Sequence, residues 1–254
     1  MLNVVTIVEK GLYKVNNEDR ALINNQIFDE IQFEVCLNES VGLFAIADGV
    51  GGCNAGEVAA EETLKKMAEI YPFQSKHYEE TLHTAIQRSE KYLVHLAEDN
   101  QKYSGMATTL TGLILDDKVI ITFNLGNSRV YRYRNGLLRQ LTHDDSIIQE
   151  LLDSGILENT EQAESNVKNV ITKYIGSTGR NFKPSIVKHE MSVQKHDIFC
   201  LSSDGIHDFV TIEEMETILS EEKSLMDKAI TLVKLAKNHA EHDNISIILI
   251  EEVG

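Results

Sequence analysis

Cysteine is rare in this sequence of 254 residues, which contains only Cys36, Cys53 and Cys200. Their spacing forms neither a disulfide framework nor a metal-binding knuckle, and an odd number of thiols is typical of a reducing compartment. We therefore expect all three to be packing residues. Cys53 is the candidate for an exposed thiol because it follows a glycine-rich turn, although a plain loop residue is the commoner case.

Proline and long apolar runs are also scarce. The chain has two prolines and 42% hydrophobic residues, so nothing in it indicates disorder or low complexity. No run approaches the length of about 18 apolar residues that a membrane span needs, and Met1-Leu2-Asn3 does not begin a basic signal region. The sequence therefore predicts a cytoplasmic protein with a sizeable core.

Positive charge is the third shortage. Lysine and arginine number 24 against 40 acidic residues, for a net charge of -16. Because nucleic acid and anionic membranes bind basic surfaces, neither is expected as a partner. The acid excess is compatible with metal binding, although a solvated acidic surface would account for most of it whatever the function.

The stretch from Phe44 to Gly52 contains the first candidate site. The apolar residues Phe44 to Ala47 predict a buried strand, which leads into Asp48 and a glycine-rich turn. A carboxylate beside backbone that glycine allows to approach closely suits a divalent cation with oxygen ligands. Alone the pattern is weak, because Asp-Gly is most often a plain turn and no P-loop sequence follows.

Three further acidic positions repeat this arrangement. Asp204-Gly205 follows the predicted strand 198–203, Asp243-Asn244 precedes the apolar run 245–250, and Asn17-Glu18-Asp19 precedes the strand-like residues 21–23. A fold that brings these strand ends together would offer a hard cation an all-oxygen set of ligands. The residue pattern thus predicts a divalent metal site.

Periodicity predicts an α+β fold. Strands are expected at 4–8, 21–28, 31–37, 41–47, 108–115, 119–125, 129–133, 137–141, 186–193, 198–201 and 245–250. Helices are expected from 55 toward 71 after an Asn54 cap, at 77–100, 146–154 and 226–240, and after Thr211, where Glu214 completes a capping box. The element order favours antiparallel layers over an alternating parallel sheet.

A series of short motifs spans nearly the whole chain. They are Gly11-x-x-Lys14-x-x-Asn17-Glu18-Asp19, Ala47-Asp48-Gly49-Val50-Gly51-Gly52, Gly56-Glu57-x-Ala59-Ala60, Ala107-Thr108-Thr109, Gly126-Asn127-Ser128-Arg129-x-Tyr131, Leu141-Thr142-x-Asp144-x-Ser146, Gly176, Ser203-Asp204-Gly205-x-x-Asp208 and Asp243-Asn244-x-Ser246. In order and spacing they resemble the bacterial form of the PP2C (PPM) family of metal-dependent serine/threonine protein phosphatases.

The resemblance implies a four-layer α-β-β-α sandwich, in which two antiparallel sheets are flanked by helix pairs. It also implies one domain over residues 1–254, with a flap inserted at about 144–180, around the polar span 158–168. In the family this flap lies near the catalytic cleft and varies most between members.

The resemblance also implies the site. Asp48 would bridge two Mn²⁺ or Mg²⁺ ions, the Gly49 carbonyl would complete one shell, and Asp204 and Asp243 would hold the other ion. Glu18 and Asp19 would orient metal-bound water, and Asn244 would steady Asp243. A metal-activated water would then hydrolyse phosphoserine or phosphothreonine directly, without a phosphoenzyme.

Three positions depart from the family pattern. Lys14 replaces an arginine that grips the substrate phosphate, and lysine supplies the charge without the two-pronged geometry. Asn127 replaces an aspartate that helps to hold a third metal, so a third ion is doubtful. Val50 stands where animal members have a histidine proposed as general acid. His143 and His207 are alternative proton donors, but a structural role is more usual for each.

Two other functions stay open. Lys14 and Asn127 would also suit a weakly active or inactive relative that binds a phosphorylated partner as a regulator. The acidic site alone would suit a hydrolase of small phosphate esters, although no base-stacking or sugar-binding motif is present. For the phosphatase we expect a phosphorylated protein substrate, an opposing serine/threonine kinase and a monomeric state.

Overall fold

Two antiparallel sheets dominate the computed structural model, which describes residues 1–38, 41–50, 55–116, 119–159, 170–176, 182–238 and 243–253. The strands are β1 (Leu2–Glu9), β2 (Asp19–Ile23), β3 (Gln26–Phe28), β4 (Ile31–Leu37), β5 (Gly42–Asp48), β6 (Leu110–Asp116), β7 (Val119–Leu125), β8 (Arg129–Arg134), β9 (Leu137–Gln140), β10 (Ser185–His189), β11 (Ile198–Ser202) and β12 (Ile245–Glu252). The helices are α1 (Gly56–Ala68), α2 (Tyr78–Asp99), α3 (Ile147–Asp153), α4 (Asp204–His207), α5 (Ile212–Ser220) and α6 (Leu225–Lys237).

Each sheet has six strands. The first runs in the order β4-β1-β12-β11-β8-β9 and the second in the order β10-β7-β6-β5-β2-β3. Because β1 pairs with β12 along its whole length, the two ends of the chain share one sheet. The polypeptide crosses repeatedly between the two sheets. The end of β5, the start of β2, the end of β11 and the start of β12 lie at the same end of the sandwich.

Alternating side chains divide the core into three layers. In β1, Val5 and Ile7 face helices α5 and α6, whereas Val4 and Val8 face the second sheet, as the two-residue period of a strand requires. Leu64 of α1 packs against the outer face of the second sheet. The predicted four-layer sandwich is confirmed, and it explains why the central strands read as continuous apolar runs.

Most predicted elements are present, with altered ends. The capping box of Thr211 and Glu214 begins α5 as expected. Helix α1 follows Ala55, which has a left-handed φ of 57° and no side-chain cap, while the predicted cap Asn54 lies outside the described residues. The helix ends at Ala68, before the predicted limit.

Two expectations about single segments were wrong. Residues 21–28 form the hairpin β2–β3 and not one strand, because Asn24 adopts a left-handed turn with φ 58° and its side-chain oxygen accepts a hydrogen bond from Leu43. Cys36 is exposed on β4, so it is not a packing residue, whereas Cys200 is buried. Cys53 lies outside the described residues.

Within the described ranges, no helix is long and apolar enough to span a membrane.

Candidate metal centre

The acidic residues predicted from strand ends lie at the same end of the sandwich. Asp48 ends β5, Asp19 begins β2 directly opposite it, Asp204 follows β11, and Asp243 precedes β12. A cleft of about 290 Å³ opens there, lined by Lys14, Asp48, Gly49, Val50, Thr109, Asn127, Ile171, Asp204 and Asp243. The four positions proposed as metal ligands therefore share one cavity, although they come from both sheets.

Glycine makes this convergence possible. A Cβ on Gly49 would lie 2.6 Å from the backbone carbon of Gly56 and 2.8 Å from Cβ of Glu18. A Cβ on Gly205 would overlap the carbonyl oxygen of Asn244. The glycine after each aspartate thus lets a second chain segment approach at van der Waals distance.

Threonine hydroxyls fix the backbone of Asp48. The Asp48 amide donates to Thr109 Oγ1 at 3.1 Å, and its carbonyl accepts from the Thr108 hydroxyl at 2.9 Å. Thr109 Oγ1 also lies 3.1 Å from Ser128 Oγ. The motif Ala107-Thr108-Thr109 was recognised in the sequence, but no role was predicted for it. The only feature that could have indicated this role is the pair of threonine hydroxyls directly before β6.

Asp19 is fully buried behind the cleft. Its Oδ2 accepts a hydrogen bond of 2.9 Å from Ser203 Oγ, which in turn accepts one of 3.0 Å from the Ser246 amide. Its Oδ1 has no partner among the described residues. Burial raises the pKa of Asp19 to about 6, and the neighbouring side chains of Ser246, Ser203 and Asp48 oppose this shift. Asp19 also interacts with Asp48, which lies directly opposite it.

The pKa values of Asp48 and Asp204 are raised as well. Burial, followed by the charges of Asp19, Asp204 and Asp243, raises the pKa of Asp48 well above its usual range. Burial and the charge of Asp243 raise the pKa of Asp204 to about 7. Asp48 and Asp204 open toward the cleft but are otherwise surrounded by protein. Such a concentration of negative charge is unfavourable unless cations compensate it.

The donor set fits a hard divalent cation. Carboxylate oxygens and a carbonyl oxygen are the ligands that Mg²⁺ and Mn²⁺ favour. In the described part of the chain, no three acidic, histidine or cysteine side chains are grouped so that they could hold a metal ion by themselves. Side chains spread around an open cleft suit ions that keep several of their waters.

Lys14 is the one cationic side chain among the described residues that line the cleft. Its Nζ lies 2.8 Å from Asp243 Oδ1. Burial lowers the pKa of Lys14, but the hydrogen bond to Asp243 and the charges of Asp243, Asp48 and Glu18 outweigh it, so the pKa is raised. Lys14 is therefore charged. It can bind an anion in the cleft, which would compete with Asp243 for its ammonium group.

Asn127 also contacts a candidate ligand. Its side-chain amide donates a 3.1 Å hydrogen bond to Asp204 Oδ2. An aspartate at this position would place two carboxylates side by side, whereas the amide neutralises part of the local repulsion. Asn127 therefore supports Asp204 without adding negative charge to the cleft.

Glu18 lies beside the cleft without lining it. Its amide donates to Asn244 Oδ1 at 3.0 Å, and its carbonyl accepts from the Gly49 amide at 3.1 Å. The backbone amide of Asn244 donates to Asp243 Oδ1 at 2.9 Å, which supports the expected contact between these two residues. Burial raises the pKa of Glu18, and the charge of Lys14 partly offsets this.

Neither candidate histidine lines the cleft. His143 is exposed and lies 3.0 Å from Asp153. His207 is half-buried beside Tyr131, with Nδ1 2.9 Å from Ser202 Oγ, and its Nε2 has no partner among the described residues. Burial and then the charge of Arg129 hold the pKa of His207 well below its usual range, so the ring is neutral. Both histidines have the structural surroundings that the sequence favoured.

Replacing His207 with glutamine should flatten the pH dependence of stability. Because protonation is disfavoured in the folded state, the wild type keeps full stability above the ordinary histidine pKa and loses it as pH falls through about 6.5. Thermal unfolding between about pH 5 and 7 would measure this slope. The exposed control His143→Gln should leave the slope unchanged; an unaltered slope in His207→Gln would refute the assignment.

A short segment of the expected flap forms one wall of the cleft. The Thr172 amide donates to the Asp145 carbonyl at 2.8 Å, and Ile175 exchanges backbone hydrogen bonds of 2.9 and 3.0 Å with Thr108. These contacts hold Ile171 at the cleft. Sequence reasoning missed Ile171, and the remaining flap positions 160–169 and 177–181 lie outside the described residues.

Known proteins are similar to this chain in sequence and in fold. A family model described as "Protein phosphatase 2C" matches residues 23–238. The chain is 30% identical over 248 residues to the serine/threonine phosphatase stp of Listeria welshimeri, covering 96% of this chain and 93% of the relative. Serine/threonine phosphatase Stp1 of Staphylococcus aureus aligns with a TM-score of 0.85 and 28% identity, covering 100% of this chain and 96% of that structure. The catalytic domain of the serine/threonine protein phosphatase PstP, solved with two manganese ions, aligns with a TM-score of 0.81 and 25% identity over the whole of both chains.

Proposed function

This chain belongs to the protein phosphatase 2C family, and we propose that it hydrolyses phosphoserine and phosphothreonine in proteins at a divalent metal centre. As a member of that family it is a serine/threonine protein phosphatase. The observation that carries the proposed mechanism is the convergence of Asp48, Asp204 and Asp243 with Lys14 around one cleft. This combination provides ligands for cations and one positive group for the substrate phosphate.

Asp48, the Gly49 carbonyl, Asp204 and Asp243 would hold a pair of Mn²⁺ or Mg²⁺ ions. Bound ions of this kind supply an activated water and neutralise phosphoryl oxygens. The two manganese ions of the PstP structure support a pair. Because Asn127 replaces the family's aspartate, we expect no strong third site.

The chain's own residues would position the substrate. Lys14 would attract a phosphoryl oxygen by its charge, with less directional control than an arginine. Asp19, which lies directly opposite Asp48, would orient water at the cleft. Glu18 would orient water with a second carboxylate beside Asp19. Ile171, which lines the cleft, would limit the space around the substrate residue that carries the phosphate.

A comparison of substrates tests this proposal against the two alternatives. With Mn²⁺ present, we expect a phosphothreonine peptide to be hydrolysed with a higher kcat/KM than a nucleotide monophosphate or a sugar phosphate. A preference for either small ester would favour the small-phosphate hydrolase. Binding of the peptide without turnover, in protein shown to be folded and metal-loaded, would favour the phosphoprotein-binding regulator.

The proposed partners follow from this chemistry. The substrate would be a phosphorylated protein, and a serine/threonine kinase would supply the phosphate that the enzyme removes. A monomeric state and a cytoplasmic location stay predictions from the sequence.

Changing Asn127 to aspartate should raise activity at high Mn²⁺ and lower the stability of the metal-free protein. The new carboxylate would replace the amide hydrogen bond to Asp204 with repulsion, and a further cation would relieve it. Turnover and thermal unfolding across a Mn²⁺ series would measure both effects. Asn159→Asp, a change of the same type near α3, provides the control; equal responses in the two variants would contradict the prediction.

A further inference from the structure

Arg132 is an arginine near the lateral edge of the sandwich whose nearest acidic influence, Asp197, is already paired with Arg134. It lies in β8, directly opposite Arg139 of the edge strand β9 and two residues from Arg134. Arg134 is fully paired, since its Nε and Nη2 donate to the Asp197 carboxylate at 2.6 and 2.5 Å. Neither Arg132 nor Arg139 forms an ion pair with any residue that the structure describes.

The guanidinium of Arg132 has poor hydrogen-bond partners. One terminal nitrogen contacts the sulfur of Met191, and the buried Nε has no partner among the described residues. Burial, and then the positive charge of Arg134, lower the pKa of Arg132, against the charge of Asp197, and Arg139 adds a smaller lowering effect. A buried donor without an acceptor, on a group that is also charged, is costly, and native structures seldom leave one unexplained.

Met191, which Arg132 contacts, also lines a cavity. The cavity, of about 620 Å³, lies along the edge strand β10 and the turn that follows it, lined by Lys188, His189, Glu190, Met191 and Ser192. His189 contacts the Thr122 hydroxyl at 2.9 Å, and burial and then the charge of Arg132 lower its pKa, so the ring is neutral. Glu190 is exposed and forms no ion pair with a described residue. Two arginines that form no ion pair with a described residue thus lie opposite each other, and Lys188 lines the nearby cavity, on a chain whose net charge is -16.

We propose that Arg132 and Arg139 bind an oxyanion, either a phosphate ester or a carboxylate, that the protein substrate carries at a distance from the residue being hydrolysed. Arginine is suited to this task because its planar group binds carboxylate and phosphate through two parallel hydrogen bonds. An acidic segment would be repelled by most of this protein's surface and attracted at this edge. The assignment rests on the proposed phosphatase function.

The fold sets the spacing between the two sites. Arg132 is five positions along the chain from Asn127 at the cleft, which is about 16 Å at the rise of a strand. An extended substrate segment covers that distance in about five residues. The second anion should therefore lie about five residues from the phosphorylated residue that occupies the cleft.

Binding of non-hydrolysable peptides tests the assignment. Each fluorescent peptide carries a phosphonate in place of the phosphothreonine, and a second phosphonate or an alanine about five residues away on either side. For the Mn²⁺-loaded wild type, we expect about tenfold tighter binding of one doubly charged peptide than of its alanine partner. Arg132→Met should lose this preference and Arg139→Gln should reduce it, whereas Arg88→Gln, at an exposed arginine of α2, should keep it.

Three results would overturn the assignment. They are equal affinities of the wild type for the paired peptides, a preference that survives both Arg132→Met and Arg139→Gln, and an Arg132-dependent thermal stabilisation by inorganic phosphate with no peptide preference. The last would show a site for a free anion. Because Arg139 is exposed, its variant tests the site even if Arg132→Met folds poorly. Absence of turnover on an ordinary phosphothreonine peptide would count against the proposed function alone, since peptide binding is measured separately.

Discussion

Replacing Asp204 with asparagine should lower metal-dependent hydrolysis by about a thousandfold or more, because a metal centre supplies several kcal/mol of charge stabilisation and each 1.4 kcal/mol is about tenfold in rate. Asparagine keeps the shape of the side chain but loses the charge that attracts the cation. The variant can still accept a hydrogen bond from Asn127, so the fold around the cleft should persist. Initial rates on a phosphothreonine peptide with Mn²⁺ measure the loss.

The same variant should be more stable than the wild type when metal is absent. The pKa of Asp204 is raised to about 7 in the folded protein, so ionising this carboxyl costs stability as pH rises from about 4 through 7. Asparagine cannot ionise and escapes that cost. Thermal unfolding in chelator should therefore show a gain for Asp204→Asn at pH 8 that disappears near pH 4.

An exposed aspartate provides the control. Asp153→Asn removes one acidic charge from the surface end of α3 and should change neither turnover nor the pH profile of unfolding in this way. The account of the cleft would be wrong if Asp204→Asn kept metal-dependent turnover. It would also be wrong if the variant lost stability at pH 8 in chelator.

Substituting Lys14 should change substrate binding in opposite directions according to the new side chain. Lys14→Met removes the cation at the cleft and should lower kcat/KM by about ten- to a hundredfold, the range for one hydrogen bond to a charged group. Lys14→Arg should raise it severalfold because a guanidinium can make two parallel hydrogen bonds to phosphate. Both effects should appear mainly in KM.

The affinity for Mn²⁺ separates this role from a purely structural one. Lys14 neutralises Asp243, with Nζ 2.8 Å from Oδ1, so Lys14→Met should bind Mn²⁺ as tightly as the wild type or more tightly. Lys10→Met, at a nearby exposed lysine, should behave as the wild type. A parallel loss of Mn²⁺ affinity and substrate affinity in Lys14→Met would show that the lysine organises the cleft and does not bind phosphate.

The sequence predicted those helices and strands whose boundaries depend only on neighbouring residues. The capping box at Thr211 needs only its own turn, and the apolar residues before Asp48 and Asp204 mark buried strands that end at an aspartate and a glycine. The hairpin β2–β3 was missed because Asn24 turns the chain inside an apolar run. Its turn is stabilised by the distant Leu43 amide, which periodicity cannot reveal.

The candidate site shows the same division. The ligand positions were proposed from strand-end carboxylates and from the family resemblance, but the contacts among them depend on the tertiary fold. The pairing of Lys14 with Asp243 joins residues from opposite ends of the chain, and the hydrogen bond from Ser203 to Asp19 links the two sheets. Such contacts follow from the meeting of strands and leave no periodic pattern in the sequence.

The most direct test of the metal centre is a titration of Mn²⁺ into chelator-treated protein, with bound Mn²⁺ and hydrolysis of a phosphothreonine peptide measured in the same samples. We predict that hydrolysis is absent in chelator and rises as a pair of ions binds, and that Asp204→Asn loses both binding and turnover. Turnover that persists in chelator, or equal Mn²⁺ binding by the wild type and Asp204→Asn, would contradict the proposed mechanism.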